Sequence, residues 1–281
     1  MNTNKLKLMD GLLVWGICFL IFGLIGDILS DFIGIWAFYL CQGLSIVPVA
    51  VVSARTGLSA GKLLAPGERK PKQVVGATLI WVGCLLLAIP LFLISHLLTP
   101  VLAKTGLHIY NYTNSTLSVV GLVILAGVAE SILMDGFLYT RVKGFSKLKP
   151  WLPALILGAL GGLYHPDLYI LLPMAIMAVG FYYVRKKVGG IVLPMLLRMF
   201  TILIALAYMQ VSDADDSLMG VAMGAGQVIG FALIFAGAAL VSLVCGARVL
   251  GDFKDRTPIE KGAVLGLALL LIATGCGVAS I

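Results

Sequence analysis

The chain has 281 residues, of which 60% are hydrophobic and 12% charged, with mean hydropathy +1.06 and a formal net charge of +7. A soluble domain carries roughly a quarter charged residues, so there are too few charges here to coat a soluble surface. The positive surplus sits in loops between apolar runs, which excludes a nucleic-acid-binding face and points to membrane topology.

A membrane span needs about 20 mostly apolar residues, and runs of that length recur along the whole chain. Each must be helical, because backbone polar groups in lipid have to be satisfied within their own segment. The first run, 11–29, follows Lys5 and Lys7 as a signal peptide's would. It is long and lacks a small-residue cleavage site, so it is expected to stay as an anchor. The second run is 33–52, and the longest basic loop, Ser53 to Gln73, follows it with Gly57, Gly61, Pro66, Gly67 and Pro71 as breakers. Lys62, Arg69, Lys70 and Lys72 in that loop suit a solvated positive-inside segment, or a segment lying on anionic headgroups.

The third run, 74–99, ends near His96 and leads to a loop, 100–116, with His108 and two matches to the glycosylation acceptor pattern at Asn111 and Asn114. That pattern is common by chance, and both histidines read as incidental. The fourth run, 117–139, contains Glu130 and Asp135. The fifth and sixth, 151–166 and 168–184, are short. They are expected to form a tight helical pair meeting at His165-Pro166-Asp167, or a partly re-entrant hairpin. The seventh, 188–208, contains Arg198; the eighth, 220–247, carries Gly220, Gly224, Gly226 and Gly230, which suit close helix packing; the ninth is 262–280. Cys18, Cys41, Cys84, Cys245 and Cys276 lie far apart inside apolar runs and read as small buried side chains.

Loop charges test this map. With the N-terminus inside, the inner segments collect 18 of the 20 basic residues, leaving Lys104 in an outer loop and Arg198 within a span. Asp27, Asp31, Asp213, Asp215 and Asp216 fall on the outer side. The alternation holds at every turn, as the positive-inside rule requires. The expected fold is therefore an all-α polytopic transmembrane helical bundle of about eight or nine spans, N-terminus cytoplasmic. It forms a single membrane-embedded domain over 1–281.

Four ionisable groups fall in hydrocarbon: Glu130, Asp135, His165 and Arg198. A charge at mid-membrane costs at least ~2.5 kcal/mol, so such groups persist by pairing, by facing a cavity or by doing chemistry. Glu130 and Arg198 each lie about ten residues, or ~15 Å, from the inner face, near the midplane of a ~30 Å core. His165 is deeper unless its helix tilts. Asp135 lies some 140° round a regular helix from Glu130, so the two carboxylates need not share a face.

The run Glu130-Ser131-Ile132-Leu133-Met134-Asp135-Gly136 resembles the first motif, Glu-Glu-x-x-x-Arg followed by Gly, of the CAAX-processing and bacteriocin-processing (Abi, abortive infection) intramembrane endopeptidases. Gly161-Gly162-Leu163-Tyr164-His165 matches their second motif in its His. The third motif, His-x-x-x-Asn or Asp, falls on Arg198 to Ile202, and the Thr56 to Lys72 loop is similar to the family's own. The resemblance covers about 50–208, with 220–281 as added C-terminal spans. The motifs are eroded: the second Glu is Ser131, the Arg is Asp135, the third-motif His is Arg198 and its Asn is Ile202.

The resemblance implies that Glu130 and His165 activate an attacking water together. It also implies a membrane-associated peptide or protein as substrate, within membrane lipid, in a cell membrane of prokaryotic type. Arg198 then either donates to developing negative charge or blocks Glu130. An Asp135–Arg198 ion pair would give each of those buried charges a partner, with Ser131 in a supporting place. No cofactor is expected. A divalent metal at Glu130 and His165 is the weaker option, because one His and one Glu fall short of the three or four protein ligands of zinc. Two other functions stay open: a catalytically inactive relative acting as a regulator, chaperone or immunity factor, and a small transporter with Glu130, His165 and Arg198 as its polar path.

Overall fold

A computed structural model describes residues 3–67, 70–98, 116–147, 149–165, 168–214, 225–252 and 257–280. Their regular structure is helical, with no strand among the described residues. Helix α1 (Thr3–Phe19) passes through a π-helical stretch, Leu20–Ile25, into α2 (Gly26–Ile33). Gly34, at φ 57°, then reverses the chain into α3 (Ile35–Arg55), a conformation that favours glycine. The short α4 (Ala60–Leu63) precedes α5 (Pro71–Leu98). Next come α6 (Thr116–Ser131), a second π-helical stretch (Ile132–Leu138) and α7 (Tyr139–Val142), which form one continuous rod. The remaining helices are α8 (Leu152–Tyr164), α9 (Leu168–Val188), α10 (Val192–Ala214), α11 (Ala225–Leu250) and α12 (Pro258–Ala279).

Within the described residues, each expected span falls on helical structure. Among the described residues six helical rods are long and apolar enough to cross a bilayer, and Leu152–Tyr164 and Val192–Leu206 are shorter apolar helices. The exterior is apolar: Phe32 is 79% exposed, Trp36 68% and Leu269 65%. Charged groups such as Glu130, Asp135, Arg185 and Arg198 are inside. This inversion of the soluble pattern, on a scale far beyond an ordinary surface patch, suits a lipid solvent. The protein is an integral membrane helical bundle.

Helices α8 and α9 pack as a tight helical pair. A Cβ on Gly162 would lie 2.6 Å from the Leu171 carbonyl oxygen, so the backbones meet where no side chain fits. On the far side of the bundle, Gly230 of α11 lets α12 approach, with a Cβ there only 2.5 Å from Ala279 N. Gly220, Gly224, His108, Asn111, Asn114, Asp167, Asp215 and Asp216 lie outside the described residues.

The basic helix ends meet at one end of the bundle. Arg141 Nη1 is 3.7 Å from Asp10 Oδ2, Lys187 Nζ is 2.5 Å from Asp252 Oδ1, and Arg141 also donates to Thr56 Oγ1. Most described residues of the segment after Arg55 are exposed, Lys62, Lys70 and Lys72 among them, as in a solvated loop, but it is anchored. Leu63 is buried, and the Ala65 carbonyl accepts from Ile191 N at 2.8 Å, so an apolar anchor and a backbone bond hold α4 to the bundle.

Candidate active site

Helix α6 ends at the residues that matter. Glu130 is in its last turn, Ser131 closes it, and the π-helical stretch then carries Asp135. A π-turn bonds i to i+5 instead of i to i+4 and widens the helix, and such turns occur frequently at functional sites. The backbone shows the consequence directly. Tyr139 N–H donates to the carbonyls of Met134 and Gly136, and the Asp135 carbonyl accepts from Arg185 Nε at 3.0 Å. Gly136 helps make the stretch possible: a Cβ there would sit 3.2 Å from both Leu63 Cγ and the Leu63 carbonyl oxygen of α4.

The widened turn changes the angular relation between the two carboxylates. On a regular helix they would point some 140° apart. Here both reach one guanidinium: Arg198 Nη1 lies 3.2 Å from Glu130 Oε2, and Arg198 Nη2 lies 3.0 Å from Asp135 Oδ2. All three side chains are buried, at 5%, 3% and 4% exposure. The three carry a formal charge of −1. Arg198 also stacks on Phe181 of α9, with Cζ 4.2 Å from the ring centre. One turn further along α10, Thr201 accepts from Trp81 Nε1 of α5 at 3.1 Å, which fixes the rotation of α10.

His165 caps α8. At 1.5 Å per residue its 13-residue helix is only ~20 Å long, so the residue at its end stays within the hydrocarbon depth. Glu130, His165 and Arg198 line one cavity of about 10 Å³, with Tyr164 and Phe181 among its walls. A space of that size has room for at most one water, with Glu130, His165 and Arg198 as its charged or ionisable partners among mostly apolar walls. Thus α6, α8 and α10 bring together three of the four intramembrane ionisable groups, and Asp135 stands behind Arg198. Ser131 is fully buried next to Glu130. Among the described residues no three His, Cys, Asp or Glu side chains gather as metal ligands would, and Glu130 Oε2 already accepts from Arg198.

Residues 112–204 match the family model described as type II CAAX prenyl endopeptidase Rce1-like. Over this segment the chain is similar to the CAAX prenyl endopeptidases. Neither a curated protein nor a solved structure gives a match. The CAAX-like segment runs from before α6 into α10, the part of the chain that assembles Glu130, His165 and Arg198. The match begins after the Ser53–Gln73 loop and ends before α11.

Sequence reasoning missed Phe181 and Arg185. Arg185 counts in the sequence only as one of the 18 inner-segment cations, yet its side chain is buried and bonded to the Asp135 carbonyl. A signal was available: Phe181 and Arg185 are four residues apart, hence on one face of α9, and that face meets the CAAX-like motif. Tyr164 is a packing aromatic, stacked on Phe22 with ring centres 5.6 Å apart, and it also walls the small cavity.

Proposed function

We propose that the protein is an intramembrane endopeptidase of the CAAX-processing type, hydrolysing a membrane-associated peptide or protein with a water held between Glu130 and His165. The observation that carries this reading is the water-sized cavity lined by Glu130, His165 and Arg198 inside an apolar bundle. In this reading Glu130 takes a proton from the water as its oxygen bonds to the scissile carbonyl carbon, and His165 orients that water. The carbonyl oxygen gains negative charge, for which Arg198 is the nearest cationic donor. The proton passes to the amide nitrogen as the C–N bond breaks, releasing an amine and a carboxylate. Asp135 holds the second arm of the Arg198 fork and keeps the guanidinium in place.

A cavity of about 10 Å³ admits a water and not a peptide. In this reading the substrate reaches the water only when the helices lining the cavity part. The charge bias places the basic end in the cytoplasm, so cleavage is assigned to a segment entering from that leaflet of a prokaryotic-type cell membrane.

The Arg198–Glu130 contact supports a second reading. Glu130 Oε2 is already engaged by the Arg198 guanidinium at 3.2 Å, and an inactive relative that binds a membrane segment as a regulator would retain the same pocket. The deciding experiment uses purified protein in detergent and a quenched library of membrane-proximal peptides. Cleavage abolished in both Glu130→Gln and His165→Ala is the expected result. No cleavage by the unsubstituted protein, with a bound partner segment recovered, overturns the peptidase reading in favour of the regulator.

A further inference from the structure

A second and much larger cavity, about 620 Å³, opens at the basic end of the bundle. Five cations line it, from four separate parts of the chain: Lys7, Lys62, Arg141, Lys143 and Arg185. Among the described lining residues there is no carboxylate; the neighbouring acids are Asp10, paired with Arg141 at 3.7 Å, and Asp135, whose carbonyl holds Arg185. Gathering five like charges around one space is unfavourable without a counter-charge. Lys62 and Lys143 are exposed at its rim, whereas Arg185 is only 3% exposed at its floor.

Arg185 supplies an independent pointer to a ligand. Its Nε donates to the Asp135 carbonyl and its guanidinium rests over the Tyr139 ring, 5.3 Å from the centre. Its Nη1 has no hydrogen-bond partner among the described residues, and neither has Arg141 Nε. Guanidinium donors buried without acceptors are costly, and their planar fork matches phosphate oxygens. A carboxylate carries one charge and two oxygens, too little for five cations spread around 620 Å³. A phosphate group, with three or four oxygens, meets several of them together. The lining also includes apolar surface from Leu58 and Ala65.

We propose that this cavity is a binding site for a phosphate-bearing ligand, and that Arg185 carries its occupancy to the π-helical stretch holding Asp135. Arg185 lines the floor of the cavity, so an anion held there fixes the guanidinium whose Nε donates to the Asp135 carbonyl. Binding thus stiffens the same turn that brings Asp135 and Glu130 onto Arg198. The site is separate from the small cavity and does not require that the protein cleave peptides.

The test uses the full chain in detergent, at fixed ionic strength set with chloride, because simple screening also shifts charged proteins. Thermal unfolding is followed against inorganic phosphate, short-chain lysophosphatidate and, as the phosphate-free lipid control, a monoacylglycerol of the same chain length. A ligand that binds only the folded state raises Tm saturably. The expected result is a saturable rise with a phosphate-bearing ligand, with a midpoint at least tenfold higher in Lys62→Gln/Lys143→Gln. These two side chains are at the rim and touch neither Glu130 nor Arg198, so the variant folds, and its unliganded Tm is no lower because like-charge repulsion around the cavity is relieved. A rise with lysophosphatidate alone identifies a lipid headgroup as the source; a rise with inorganic phosphate as well identifies a free anion. Amide exchange at 139–142 slows on binding in the unsubstituted protein. No saturable rise with either phosphate ligand, or the same midpoint in the double variant, overturns the proposal. Since no peptide hydrolysis is read, failure here is distinct from failure of the peptidase reading.

Discussion

Arg198 Nη2 and Asp135 Oδ2 lie 3.0 Å apart at the centre of the bundle, joining helices 63 residues apart in the chain. The same guanidinium also holds Glu130 at 3.2 Å, so the unit is a triad with two carboxylates, not an isolated pair. Removing one partner from a buried ion pair costs about 3–5 kcal/mol, whereas replacing the whole group by apolar side chains is often neutral or stabilising. Arg198→Ala should therefore destabilise most, since it leaves two carboxylates facing each other. Asp135→Ala should cost less, because Glu130 remains to pair. The exchange Asp135→Arg with Arg198→Asp should restore stability only in part, since it sets an acid against Glu130; adding Glu130→Gln should recover more. Denaturant unfolding in detergent orders these variants, and full recovery by the simple exchange would show that Glu130 does not share the guanidinium.

The α8–α9 seam sets the position of His165. Gly162→Ala puts a Cβ 2.6 Å from the Leu171 carbonyl oxygen, and overpacking of this kind costs typically about 1–3 kcal/mol. The helices must part, which draws His165 away from Glu130. Lower Tm together with loss of hydrolysis is expected. Gly277→Ala, with no atom within 4 Å of the new Cβ, serves as the comparison and should change neither.

Arg185 supports the π-turn from outside. Arg185→Gln removes the charged donor to the Asp135 carbonyl, at a cost of about 1–3 kcal/mol for a buried group left unsatisfied. Arg185→Lys should not restore it, because a point charge cannot reproduce the fork geometry. Amide exchange across 132–142 should quicken in both variants, and unchanged exchange would show that the turn holds itself.

Topology is open to direct measurement. Cysteines placed at Lys62 and Lys143 should react with an impermeant maleimide from the same side of sealed vesicles, and cysteines at Asp27 and Asp31 from the other. Labelling of all four from one side would contradict the inside assignment of the basic end.

The sequence by itself determined the solvent, the helices and the short list of groups worth watching. Those features are local or compositional: an apolar run long enough to span cannot be anything but helical in lipid, and a buried charge stands out wherever it occurs. Glu130, His165 and Arg198 were legible on those grounds. Their relation was not. Regular periodicity turns Asp135 away from Glu130, and the π-helical stretch that brings both onto Arg198 is braced by Leu63 of α4 at Gly136 and by Arg185 of α9 at the Asp135 carbonyl. Those contacts come from segments about 70 residues before and 50 residues after. No local pattern encodes them. His165 reaches the site by the same logic, since the glycine seam between α8 and α9 fixes where the short helix ends. Which side chains can be charged in the membrane was written along the chain; which of them meet was decided by helices that touch only after folding.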